Sequence, residues 1–290
     1  MFEGSYVAIV TPFKDGNVDL DKLNELVEFH VANGTAGIVP CGTTGESATL
    51  SHEEHEMVIE TVMRSAKKRL KVVAGTGSNN TAEAIELTRF AEEIGCDGAL
   101  LIAPYYNKPT QKGLYLHFKA VADAVKIPIV VYNIQGRTAV NILPETLARI
   151  AAECKNVVAV KEASGSLEQM AMVHALSPGL DILSGDDALT LPLLAIGGTG
   201  VISVVANIAP RDVADMIAAF KKGDLKKAME LHYKLLSLVR AMFIETNPIP
   251  VKTAMSLKGM CSADLRLPMC AMDDSNRDRL IKAMKEYGLL

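Results

Sequence analysis

The chain has 290 residues, 49% of them hydrophobic and 22% charged, with a formal net charge of −4. That is enough apolar material for a large core, and an acidic balance without a dense Lys/Arg tract excludes general affinity for nucleic acid. The five cysteines, Cys41, Cys96, Cys154, Cys261 and Cys270, form no C-x-x-C unit and read as the reduced thiols of a cytoplasmic protein. The start, "MFEGSYVAIV", has neither a basic region nor a long apolar core, so no signal peptide is expected.

Along the chain, short apolar segments rich in β-branched residues recur at 6–10, 37–41, 71–75, 98–103, 128–133, 157–161, 181–185 and 200–204. Between them lie stretches of helical period, among them 21–32, 54–66 and 82–95. Ser51 with Glu54, and Ser166 with Gln169, have the spacing of a capping box. No charge occurs between Asp187 and Arg211, but Pro192 and "GGTG" at 197–200 interrupt that run. It reads as a short apolar helix, a tight turn and a buried strand, so no membrane partner is expected. Strands that alternate with helices need parallel pairing, and eight such units predict a (β/α)8 TIM barrel, with an open doubly wound sheet as the rival. After Arg211 the strand signals stop, and 224–243, 248–260 and 275–288 read as helices. The expected division is a catalytic barrel over 1–224 and a helical C-terminal domain over 225–290.

Barrel active sites lie at the C-terminal ends of the strands. There the sequence places "GTTGES" (42–47), "PYYNKP" (104–109), Tyr132 with "NIQGRT", Lys161 and "SGDD" (184–187). Lys161 closes "VVAV", and a lysine is rarely buried unless something pairs with it or uses it. One reading has it snorkelling from the barrel mouth or paired with Glu162. The other makes it a Schiff-base nucleophile, because burial lowers a lysine pKa and only the neutral amine attacks a carbonyl. The valines ahead of it are expected to supply that dryness. Tyr132, on the adjacent strand at nearly the same height, is either an aromatic plug or a proton shuttle. Thr43 and Thr44 form either a plain polar turn or a relay and carboxylate site. Arg137 offers a cationic fork that suits a carboxylate, although an isolated loop arginine is usually a surface charge. "GTTGES" lacks the G-K-[ST] of a P-loop, "GTGSNN" (75–80) lacks the third glycine of a dinucleotide fingerprint, and "HEEH" (52–55) is not H-E-x-x-H. No metal and no nucleotide cofactor are therefore expected.

Taken together, "GSYVAIVTPF", "GTTGE", "PYYNKP", "YNIQGRT", "VVAVKEASG", "LSGDDA", "NPIPVKTAM" and "LRLPM" resemble the signature segments of the dihydrodipicolinate synthase family, within the pyruvate-dependent class I aldolases. The resemblance runs the length of the chain. It implies a lyase of diaminopimelate and lysine biosynthesis that needs no cofactor: pyruvate forms an imine with Lys161, and the derived enamine attacks aspartate semialdehyde to give a heterocyclic product. It implies a proton relay of Tyr132, Thr43 and Tyr106, with Tyr106 supplied by a neighbouring subunit of a homo-oligomer, by family expectation a tetramer. Thr44, Gly185 and Ile202 would line the pyruvate pocket, and Arg137 would bind the semialdehyde carboxylate. Ser47, Ala48, His52, His55, Asn79, Glu83 and Tyr105 match the positions at which feedback-inhibited members bind lysine, whereas the sequence context of His52, His55 and Glu83 alone reads as an exposed helix face.

Gln135 stands where the family usually has proline, and it is expected to loosen the loop that carries Arg137. Two other functions stay open on the residues: a sugar-acid lyase on the same scaffold, and a non-catalytic barrel that senses metabolites through its histidine-bearing face.

Overall fold

The computed structural model describes residues 1–290. Eight parallel strands form a closed barrel: β1 (Gly4–Ala8), β2 (Gly37–Val39), β3 (Lys71–Gly75), β4 (Gly98–Ile102), β5 (Ile129–Asn133), β6 (Val157–Glu162), β7 (Asp181–Ser184) and β8 (Gly200–Ser203). They neighbour one another in the order β1-β8-β7-β6-β5-β4-β3-β2. The fold class read from the alternation of segments is thus the observed one. The first strand ends two residues earlier than its apolar run, and residues 13–14 and 17–18, outside every segment read from the sequence, pair as a small antiparallel hairpin.

The helices are α1 (Leu20–Ala32), α2 (His52–Ala66), α3 (Thr81–Glu93), α4 (Gln111–Ala124), α5 (Gln135–Thr138), α6 (Pro144–Glu153), α7 (Leu167–Leu176), α8 (Thr190–Ala195), α9 (Pro210–Lys221), α10 (Leu225–Ala241), α11 (Ile249–Leu257) and α12 (Asp274–Tyr287). The uncharged run after Asp187 resolves into a 3-10 turn, α8, a glycine turn and β8. No helix is long and apolar enough to cross a membrane.

Start signals behave as their chemistry requires. At α2 both halves of the capping box form: Ser51 Oγ accepts from Glu54 N, and Glu54 accepts from Ser51 N. At α7 only half forms. Ser166 Oγ accepts from Gln169 N, while the Gln169 side chain turns to Asn141 and Glu162.

By packing, the chain divides into two compact units, residues 1–3 with 72–202 and residues 4–71 with 203–290. In the first, β4 to β7 pair in order, with one register shift between β5 and β6 at Ile129/Val130; beyond it Ile102 pairs with Tyr132, Tyr132 with Lys161, and Lys161 with Leu183. Their side chains are a nearly dry apolar set, with Leu101, Val131, Ala159, Val160 and Ile182 fully buried. In the second, the C-terminal helices pack with the first strands and helices of the chain. Lys252 of α11 and Glu46 of the segment after β2 make an ion pair at 2.7 Å, with side chains 0% and 2% exposed. Arg266 forks onto Glu54 of α2 and also reaches the carbonyls of Gly16 and Thr49.

Candidate active site

Lys161 is the fifth residue of β6 and only 6% exposed, so it does not snorkel into water. Adjacent strand residues point to opposite faces, so Lys161 shares a face with Ala159 while Glu162 shares one with Val160. Glu162 is fully buried and fully engaged: it accepts from Asn133 Nδ2, Ser164 N and Gln169 Nε2. It ties the ends of β5 and β6 to the start of α7 and is not the partner of Lys161.

By the same alternation Val160 lies on the other face, so among the nearest groups around the amine are residues of the neighbouring strands. Tyr132 and Leu183 flank Lys161 in register, and its Nζ lies 4.2 Å from the centre of the Tyr132 ring. Tyr132 is 5% exposed. Burial pushes the Lys161 amine down to about 7; the Asp187 carboxylate opposes this shift and the Arg137 guanidinium adds to it.

Gly185, just past β7, gives the lysine its room. A Cβ there would stand 2.6 Å from Ala163 Cβ and 3.2 Å from Lys161 Cε. Its N–H donates to the Glu162 carbonyl at 2.8 Å, which closes the corner between the two strands. Ile202 sits on β8 at 1% exposure.

Arg137 is exposed on α5, a single helical turn in which Gln135 occupies the first position. Proline suits that position because its φ is preset. Here the turn is closed by Thr138, whose hydroxyl meets the carbonyls of Ile134 and Val140, and by Ala139 in the left-handed region.

Thr43 and Thr44 lie in a tight turn after β2 that contains two non-glycine residues of positive φ, Cys41 at 54° and Glu46 at 54°. Such backbone persists only where its surroundings over-determine it. Thr11 Oγ1 donates to Gly45 O at 2.7 Å, and a Cβ on Gly45 would meet Ile9 O and Cys41 N at 3.2 Å. Thr44 is 1% exposed, and its hydroxyl accepts from Asn247 Nδ2 at 3.0 Å. Thr43 is half-buried.

Tyr106 is 89% exposed on a left-handed backbone with φ 73°, so within one chain it faces outward. Of the residues matched to a lysine site, Ser47, Ala48, His52 and His55 fall within nine residues of one segment, with His52 exposed and His55 buried. Asn79, Glu83 and Tyr105 gather around one loop: Asn79 Nδ2 donates to Tyr105 O at 3.1 Å, and Ser78 Oγ donates to Glu83. Two residues that neighbour these candidates were not legible as such. Asp187 was indistinguishable from Asp186 in "SGDD", yet Asp186 caps the following turn while Asp187 acts electrostatically on Lys161, against the effect of burial. Asn247, more than 200 positions from Thr44, offers no local signal at all.

A buried amine that sheds its proton near neutrality, beside a tyrosine, is the equipment of a barrel enzyme that activates carbonyl compounds as imines. The chain belongs to the Dihydrodipicolinate synthetase family, whose model matches residues 1–287. A 4-hydroxy-tetrahydrodipicolinate synthase of Endomicrobium trichonymphae is 61% identical over 290 residues, the whole of both chains. The solved structure of the chloride-inhibited dihydrodipicolinate synthase of Acinetobacter baumannii, complexed with pyruvate, is 45% identical with a TM-score of 0.97 and covers 100% of both chains. That of Cyanidioschyzon merolae, with lysine bound, is 42% identical with a TM-score of 0.97, covering 100% of this chain and 99% of the other.

Proposed function

We propose that this chain is a lyase that condenses pyruvate with L-aspartate 4-semialdehyde to give 4-hydroxy-tetrahydrodipicolinate, in the branch that leads to diaminopimelate and lysine. The observation that carries this reading is Lys161, buried in register with Tyr132 and holding an amine of pKa about 7. At neutral pH a large share of such an amine is unprotonated and adds to the C2 carbonyl of pyruvate. Loss of water gives the iminium, which draws electrons from the methyl carbon. Loss of a methyl proton then yields the enamine.

The enamine carbon bonds to the aldehyde carbon of the semialdehyde, and the aldehyde oxygen takes up a proton as the new hydroxyl. The amino group of the semialdehyde then adds to C2 and displaces Lys161, closing the ring. One water leaves overall, and no electrons are exchanged with any outside group, so the covalent imine serves in place of a cofactor.

Tyr132 and Thr43, with Tyr106 lent by a neighbouring copy, are assigned the proton relay. The outward Tyr106 on its strained turn supports a homo-oligomer, with a tetramer as the proposed state. Thr44 is assigned the pyruvate carboxylate, Gly185 and Ile202 the walls of that pocket, and Arg137 the semialdehyde carboxylate. Ser47, Ala48, His52, His55, Asn79, Glu83 and Tyr105 are assigned to feedback binding of lysine, a reading supported by the lysine-bound relative at 42% identity. Residues 1–224 are assigned catalysis and 225–290 a supporting helical role, and the five free thiols support a cytoplasmic setting.

The test is a paired assay. Pyruvate consumption is measured with aspartate semialdehyde, and retro-aldol release of pyruvate is measured from sialic acid and keto-deoxy sugar acids. Turnover of the first pair alone is expected, and Arg137→Ala should impair use of the semialdehyde far more than imine formation. Turnover of a sugar acid in preference would contradict the assignment, as would equal loss of both steps in the arginine variant.

A further inference from the structure

The turn that carries Thr43 and Thr44 is gripped from the C-terminal part of the chain at three points. Asn247 Nδ2 donates to Thr44 Oγ1 at 3.0 Å, Lys252 Nζ donates to Glu46 Oε1 at 2.7 Å, and Arg266 N donates to Glu46 Oε2 at 3.2 Å. Asn247 is 5% exposed and Thr44 1%, so their contact is shielded from water. The direction of this bond has a chemical consequence. A threonine hydroxyl has one proton to donate and two lone pairs to accept with. When Asn247 occupies a lone pair, the proton remains for an acceptor. A carboxylate is purely an acceptor, so this polarity suits an α-keto acid and opposes a ligand that presents a donor.

We infer that Asn247 is a positioning residue that orients the Thr44 hydroxyl to donate to the carboxylate of the keto-acid substrate. Glu46, Lys252 and Arg266 hold the strained turn on which that hydroxyl rides. The inference rests on the assignment of Thr44 to the pyruvate carboxylate, and the test separates the two.

The readout needs pyruvate alone: the pyruvate concentration that gives half-maximal borohydride trapping on the full-length protein. It is measured for the wild type, Thr44→Val, Asn247→Ala, Asn247→Asp and the Thr44→Val/Asn247→Ala double variant. Asn247→Ala should raise that concentration about five- to tenfold, the loss of one aligned hydrogen bond. Asn247→Asp keeps the shape and guards against a variant that does not fold. Its carboxylate accepts the Thr44 proton instead of donating, so it should raise the concentration more than Asn247→Ala does. In the Thr44→Val background, Asn247→Ala should add less than about twofold, because the group it orients is gone. A merely structural Asn247 would shift the thermal midpoint and act equally in both backgrounds, which would overturn the inference. So would an Asn247→Asp variant that binds pyruvate like the wild type. If Thr44→Val itself leaves the concentration unchanged, the carboxylate assignment of Thr44 fails, and the positioning role fails with it. If Thr44→Val raises it while both Asn247 variants do not, only the positioning role fails.

Discussion

Lys161 is a lysine whose proton is governed by its burial and by two charged neighbours. The largest influence is burial, which disfavours the charged form; Asp187 pulls the other way, and Arg137 reinforces the burial. Imine formation requires the neutral amine. Trapping of pyruvate should therefore be nearly flat above pH 8 and fall about tenfold per unit well below pH 7. The signs for the neighbours follow from charge. Asp187→Asn removes an anion that stabilises the ammonium, so the acid limb should move to lower pH. Arg137→Ala removes a cation that destabilises it, so the limb should move to higher pH. Shifts in opposite directions are expected in a pH profile of the trapping rate. A common direction, or no movement in either variant, would contradict this account of the lysine. The nucleophile itself was legible from a cation closing a strand, and Tyr132 and Arg137 were singled out with it, but Asp187 was not. Which of two adjacent aspartates faces it depends on the turn beyond β7, and sequence does not record that.

At the scale of elements, the segment from Cys41 to Glu54 joins several tasks. It holds the two threonines, the left-handed Glu46 and the capping box of α2, and it is tied to α11 and Arg266. The Glu46–Lys252 pair is almost wholly dry, and burial lowers the Lys252 pKa against the pull of Glu46. Removing one member strands the other charge inside. Glu46→Gln or Lys252→Met should each destabilise the fold by about 3–5 kcal/mol, and the double variant by much less than the sum. Chemical unfolding of the four proteins checks this; additive losses would mean that the two charges do not depend on each other. Helix starts and periods here were readable because caps and amphipathic faces are local. The ion pair was not, because "GTTGE" and "NPIPVK" lie 206 positions apart and each reads by itself as a plain polar turn or helix start. The second capping box shows the limit of a local rule. Gln169 has the right spacing, but Asn141 and the buried Glu162 compete for its amide and win.

For the whole molecule, eight apolar segments separated by helical periods pointed to a parallel sheet with crossovers and favoured the barrel over an open doubly wound sheet, and the sheet does close. What pattern could not supply is the way the chain packs on itself. Residues 203–290 form one compact unit with residues 4–71, an arrangement built from single long-range contacts such as Asn247 with Thr44 and Arg266 with Glu54. The proposed chemistry depends on both kinds of information, the strand end that buries Lys161 and the distant residues that hold the turn after β2.

The most direct test of the central claim is reductive trapping of pyruvate followed by peptide mapping. Borohydride added with pyruvate should leave a reduced three-carbon adduct on Lys161 and nowhere else, and Lys161→Arg should abolish it. An unmodified Lys161 in the digest, or an adduct that persists in the Lys161→Arg variant, would contradict the account.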